Sequence, residues 1–88
     1  MKNKLLIVTY NTTSNVKIST WLQVQVDSRK ILETTWLVST TDTAADFFNK
    51  IEPYLDKDND RIFISEIKPD ERQGWLSRTI WDWVREKS

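Results

Sequence analysis

Asp56-Lys57-Asp58-Asn59-Asp60 sets oxygen donors at alternate positions, as the opening of a calcium-binding loop does. The pattern then fails. Such a loop needs glycine at its sixth position and a bidentate Glu at its twelfth, and this chain has Arg61 and Ile67 there. The run therefore reads as a solvated turn. Asp70-Glu71, followed at once by Arg72, reads as a surface loop rather than an acid–base pair. Ser14, Ser19 and Ser28 carry hydroxyls, but there is no histidine to take their protons, which excludes triad chemistry. The absence of cysteine excludes a disulfide framework, a zinc–thiolate site and a thiolate nucleophile. Gly74 is the only glycine and cannot make a phosphate cradle. Binding chemistry remains. Lys17 near Trp21, the pair Arg29-Lys30, and Arg72 near Trp75 and Arg78 set cations beside aromatic rings, the composition of a nucleic-acid surface. The competing role for these rings is to fill a core or a dimer interface.

The elements that position these groups must come from a short chain. Its 88 residues make one domain, 1–88, and five tryptophans help fill a core that is small for a stable fold, so a homodimer is expected. With 39% apolar and 30% charged residues the composition is that of an ordered globular domain. Thirteen basic residues balance thirteen acidic ones, so no overall field draws in nucleic acid and only a local patch could do so. No stretch approaches the ~20 apolar residues that span a bilayer. Leu5-Leu6-Ile7-Val8 after Met1-Lys2-Asn3-Lys4 is too short for a signal peptide and reads as a buried first strand. A cytoplasmic location with no membrane contact is the expectation. Asn11-Thr12-Thr13 then has no meaning as a glycosylation acceptor, and Asn11 reads as a turn residue bonding nearby backbone.

Leu5 to Tyr10 is a continuous apolar run, the mark of a central strand covered on both faces. Val16 to Val26 is ambiguous. Val16, Ile18, Thr20, Leu22, Val24 and Val26 alternate as in a strand, while Ile18, Trp21, Leu22 and Gln25 make a helical stripe with Ser14 as a possible N-cap. Asp27-Ser28-Arg29-Lys30 reads as a turn, and Ile31 to Ser39 as one strand with Leu32, Thr34, Trp36 and Val38 on one face. Thr43 with Asp46 resembles a capping box before a helix carrying Ala44, Phe47, Phe48, Ile51, Tyr54 and Leu55, with Pro53 tightening its last turn. Arg61 to Ile67 is a third strand, and Trp75 to Lys87 a final helix. Trp81 and Trp83 lie ~200° apart on that helix, so one belongs in the core and the other, exposed on its far side, meets a partner. The pattern predicts an α+β sandwich with helices on one face of a small sheet.

Leu6-Ile7-Val8-Thr9-Tyr10-Asn11 resembles the first strand of the small nucleases of CRISPR adaptation (the second CRISPR-associated protein), where the strand ends in Tyr-Asp. The wider set is similar to short bacterial proteins known as SinR-like. It comprises Glu33-Thr34-Thr35-Trp36-Leu37-Val38, Thr43-Ala44, Ile51-Glu52-Pro53-Tyr54-Leu55-Asp56, Asn59-Asp60, Gly74-Trp75-Leu76 and Trp81-Asp82-Trp83, over residues 4–86. The resemblance implies a ferredoxin-like β-α-β-β-α-β sandwich with an added C-terminal helix, assembled as a homodimer. It also implies that Val16 to Val26 is the crossover helix between the first two strands. In the nuclease family, acidic residues at the end of the first strand let a symmetric dimer hold Mg²⁺. The matching position here is Asn11, whose amide adds no negative charge and cannot act as a base.

The expected function is thus a dimeric scaffold, non-catalytic or weakly catalytic, for a nucleic acid or a protein. Lys17, Arg29, Lys30, Arg72, Arg78 and Trp81 are its contact candidates, and no cofactor is needed. Two alternatives stand beside it. A Mg²⁺-dependent ribonuclease of toxin type, resembling virulence-associated protein D, requires another carboxylate near the strand's end, such as Asp42 or Asp60. A protein-interaction module would never meet nucleic acid.

Overall fold

β1 (Lys4–Asn11) is a central strand. It pairs antiparallel with β3 (Thr35–Thr40) on one side and with β4 (Arg61–Ile67) on the other. β2 (Ser28–Leu32) pairs antiparallel with β3, giving a four-stranded sheet in the order β2-β3-β1-β4. Three helices complete an α+β architecture: α1 (Asn15–Gln23), α2 (Ala44–Ile51) and α3 (Arg78–Lys87). This computed structural model describes residues 3–13, 15–24, 27–68 and 73–87.

The apolar run of β1 serves two cores. Leu6, Val8 and Tyr10 join Trp36 and Val38 of β3 beneath Ile18 and Leu22 of α1 and Phe47 and Ile51 of α2. Leu5 joins Leu37 on the opposite face beneath Trp83 and Val84 of α3, with Ile7, Ile31, Ile67 and Ile80 packed around them. The expectation of helices on one face is therefore corrected. α3 covers part of the second face because a strand apolar at consecutive positions needs cover on both sides.

The ambiguous stretch is helical as far as Gln23. Ile18 and Leu22, four residues apart, are fully buried, whereas Val16 and Val24 are exposed. Of the four described apolar residues of the alternating set, two thus never reach the core. Thr20 Oγ1 donates to the Val16 carbonyl at 2.8 Å, which satisfies its hydroxyl inside the helix. Ser14, Gln25 and Val26 lie outside the described residues.

The strand expected over Ile31 to Ser39 is a hairpin instead, and the turn expected at Ser28 is the start of β2. Its turn falls at Glu33-Thr34, with a register shift between Lys30 and Leu32. Leu32 is consequently exposed and does not share the core face of Trp36 and Val38. The Thr34 carbonyl accepts the Tyr10 N–H at 3.1 Å, tying the hairpin turn to β1. Side-chain bonds reinforce the tie through the core. Trp36 Nε1 donates to Tyr10 Oη at 3.1 Å, and Tyr10 Oη bonds Ser19 Oγ at 2.8 Å.

Thr43 caps α2, its hydroxyl accepting from the Asp46 N–H at 3.1 Å. Pro53 sits in a 3-10 turn, Glu52–Tyr54, where its missing N–H is tolerated. α3 begins at Arg78, not Trp75, with Ser77 at its start, and Trp75 is fully exposed (100%).

A polar latch fastens α3. Trp83 Nε1 donates to Asp27 Oδ1 at 2.8 Å, Lys87 Nζ sits 2.6 Å from Asp27 Oδ2, and the Arg29 guanidinium lies 5.2 Å from the Trp83 ring centre. Desolvation pushes the Asp27 carboxyl up, but the hydrogen bonds from Lys87 and Trp83 and the nearby positive charges outweigh it and hold the group below its ordinary value. The hydrogen bond to Asp27 raises Lys87 above its ordinary value. A depressed carboxyl stabilises the fold above its unfolded pKa and loses that contribution as pH falls through its folded one. A raised amine stabilises below its unfolded pKa and loses the contribution as pH rises through its folded one. The urea midpoint is therefore expected to be flat from about pH 5 to about pH 9 and to drop on both sides. Asp27→Asn should shrink the acid limb, with the remainder left to Asp56 and Asp60. An acid limb unchanged in Asp27→Asn would count against the latch.

Candidate functional site

The end of β1 is where the sequence points, and the loop that leads from the 3-10 turn into β4 meets it there. Asn11 is exposed and has Arg61 as its cross-strand partner. Asn15 Oδ1 accepts from both N and Oγ1 of Thr12, at 2.9 and 2.8 Å. Thr13 donates to Asp60 Oδ1 through its N–H at 2.8 Å and its hydroxyl at 3.1 Å. Asp60 Oδ2 accepts the Asp56 N–H at 2.7 Å. Asp56 accepts from the Asp58 N–H at 3.0 Å and the Asn59 side-chain amide at 2.8 Å.

The carboxylates of Asp56 and Asp60 thus serve the loop's own donors. Asp56 is held below its ordinary value chiefly by the bond from Asn59, and Asp60 chiefly by the Asp56 and Thr13 backbone N–H groups. The resemblance to a calcium loop stops at composition, because oxygens turned toward backbone donors are not converging on a cation.

A magnesium ion does not fit this end of the molecule either. The Asn11 amide is neutral, its partner Arg61 is a cation, and both Asp60 oxygens accept hydrogen bonds from the chain. Asp42 bonds Lys50 at 2.7 Å beyond the end of β3. Thr40 pairs with Lys4, so Asp42 lies near the start of β1 and not beside Asn11, contrary to the role considered for it. Among the described residues no group of three or more acidic side chains gathers around a point.

Among the described residues the cationic candidates do not gather at one place. Lys17 Nζ sits 5.6 Å from the Tyr54 ring centre on the helical side, where Trp21 packs edge-on to Phe47 at 5.5 Å. Arg29 lies across the sheet against Trp83. Lys30 and Arg78 are exposed, Trp81 is half-buried, and Arg72 lies outside the described residues. Of the two C-terminal tryptophans, Trp83 is the core residue.

A different surface is assembled by topology. β1, β3 and β4 alternate, so Thr9, Thr35 and Phe63 share the second face with Leu5, Leu37 and Ile67. Among the described residues, cover from α3 extends as far as Ile7, and beyond it the face is open. Thr9 pairs with Thr35 on one side and Phe63 on the other, and the two threonine hydroxyls bond at 3.0 Å. Phe63 is 63% exposed at mid-strand. Arg61, Asn11 and the exposed Leu32, which pairs with Thr35, complete the open half, and Ser65 borders it opposite Ile7. No sequence motif singled these residues out, although the alternation of Arg61, Phe63 and Ser65 against Ile62 and Ile64 carries the signal. On the other side of β4 a cleft of about 300 Å³ has Phe48, Leu55 and Ile62 in its wall, with Asp60 and Arg61 at its rim. Among the described residues no helix is long and apolar enough to cross a membrane. No known protein-family model matches the chain, and no curated protein or solved structure does so.

Proposed function

We propose that the chain is a ferredoxin-like, dimeric scaffold, akin to the CRISPR-adaptation nucleases and the SinR-like proteins, that holds a nucleic acid or a protein without cutting efficiently. The ferredoxin-like reading is supported by the β2-β3-β1-β4 order, the antiparallel pairing, and the use of α1 and α2 to link β1 with β2 and β3 with β4. α3 is the addition. Dimerisation is supported by the small core and by apolar side chains left in water, Trp75, Val16 and Val24 among them.

One observation carries the non-catalytic reading. The strand that ends in a carboxylate in the nucleases ends here in the Asn11 amide, facing the Arg61 cation. The amide adds no negative charge to hold a divalent ion, and the neighbouring guanidinium repels one. A ribonuclease reading has one point in its favour: Asp60 reaches Thr13, just past Asn11. Its oxygens are already engaged, which favours the scaffold.

Incubation of single-stranded RNA, single-stranded DNA and duplex DNA with Mg²⁺ or Mn²⁺ tests the reading. Wild type is expected to cleave no faster than buffer, and Asn11→Asp to gain EDTA-sensitive activity with the same sedimentation behaviour. EDTA-sensitive cleavage by wild type, abolished by Asp60→Asn, would overturn the scaffold in favour of the ribonuclease.

A further inference from the structure

The open half of the sheet's second face has the chemistry of a stacking platform, and we propose that it binds a single strand of nucleic acid through Phe63. The proposal rests on the scaffold reading above and names the partner. Three features argue for this occupant.

The first is Phe63 itself. Its ring stands 63% exposed in the middle of β4, while the flanking Ile62 and Ile64 pack toward the helical core. An aromatic ring on an antiparallel sheet offers a flat surface on which an unpaired base can stack, whatever its identity. The second is the polar surround. Thr9 lies directly beside Phe63 and Thr35 beyond it, their hydroxyls bonded to each other at 3.0 Å. Asn11 and Ser65 flank them. Hydroxyls and an amide can donate to and accept from base edges and sugars. A protein-docking surface would show a contiguous apolar centre, and here the two exposed apolar side chains, Phe63 and Leu32, stand at opposite ends of the row with the hydroxyls of Thr9 and Thr35 between them.

The third feature is charge. The side chains that β1, β3 and β4 set on this half include one cation, Arg61, and no carboxylate. Glu66 falls on the other face by alternation, and the Asp60 carboxylate is turned to Thr13 and Asp56. Arg61 Nη1 donates to the Asp58 and Asp60 carbonyls at 3.5 and 2.8 Å, which holds the guanidinium at the platform's edge, where a phosphate would pass. Adjacent strands stand ~4.8 Å apart, so the row Phe63–Thr9–Thr35 has room for about two or three nucleotides. A duplex buries its base faces and cannot use the ring.

Fluorescence anisotropy with labelled single-stranded RNA, single-stranded DNA and duplex DNA of about eight nucleotides per strand provides the test. Both single strands are expected to bind and the duplex to bind more weakly. An RNA preference would add a 2′-hydroxyl contact to the stack, and equal affinities would assign binding to stacking alone. Phe63→Ala should weaken binding by roughly ten- to a hundred-fold, and Phe63→Tyr should stay within about two-fold. Phe63→Leu keeps an apolar β-former and should weaken binding like Phe63→Ala, which separates loss of the ring from loss of fold. With one cation engaged, the plot of log affinity against log salt should have a slope of about −0.7, and Arg61→Gln should flatten it.

Unchanged affinity in both Phe63→Ala and Phe63→Leu, or a preference for duplex, would overturn the platform while leaving the scaffold reading intact. No binding to any of the three probes would overturn it and leave a protein as the scaffold's partner. A dimer that falls apart on Phe63→Leu would mark this face as a self-interface and overturn it equally. Cleavage of the probes would instead count against the scaffold reading alone.

Discussion

Trp83→Ala is expected to cost about 3–5 kcal/mol of stability, much of what a domain of this kind has in total. The indole is 5% exposed and fills the space between α3 and the second face, against Leu5, Leu37 and Val84. Truncation leaves a cavity that α3 cannot close, because the backbone at either end of the contact is set by the sheet and by the Lys87–Asp27 ion pair. It also removes the hydrogen bond to Asp27 and the ring under Arg29. Trp83→Phe keeps most of the apolar area and loses the N–H, so about 1–2 kcal/mol is expected. Urea unfolding followed by far-ultraviolet circular dichroism measures both. A loss below 1 kcal/mol for Trp83→Ala would mean that α3 does not pack on the sheet, and the second core would have to be redrawn.

Phe47→Ala is expected to cost a similar ~3–5 kcal/mol on the opposite side of the sheet. Phe47 is the largest fully enclosed side chain, and its ring meets Trp21 edge-on. Its loss takes away a support shared by α1 and α2, so Trp21 should become wetter and its emission move to the red. The sheet separates Phe47 from Trp83, and the double mutant should therefore lose the sum of the single effects to within ~0.5 kcal/mol. A much smaller combined loss would mean that the two cores unfold separately.

Sequence reasoning reached the parts of the fold whose apolar period is unmixed. β1 was legible as a strand covered on both sides because it is apolar at consecutive positions, and its two cores follow from that. α2 was legible from Thr43 and from the Phe47–Ile51 spacing. The hairpin was not. Glu33-Thr34 turns without glycine, proline or asparagine, and β-branched Thr34-Thr35 looks like uninterrupted strand. α1 could not be settled by period, since Ile18 and Leu22 fit both patterns. What decides it is the need to carry the chain from β1 across the sheet to β2, a tertiary constraint rather than a local one. Of the site, Asn11 was placed at the strand's end as its residues suggested. The cationic candidates were found by adjacency along the chain, which takes no account of which face each one occupies. Lys17 and Arg29 therefore appeared comparable although the sheet lies between them. Phe63 was invisible by the same method because its neighbours, Thr9 and Thr35, come from distant parts of the chain.

The line of hydrogen bonds from Trp36 through Tyr10 to Ser19 has a consequence for how strictly β1 and β3 must align. Sliding one strand past the other by a single position would put the indole and the phenol on opposite sides of the sheet. Each would then be stranded without its mate, at a penalty several times thermal energy. An aliphatic pair in those places would tolerate the slip far better. Two polar atoms hidden in the middle of an oily interior thus act as an alignment key between the two strands.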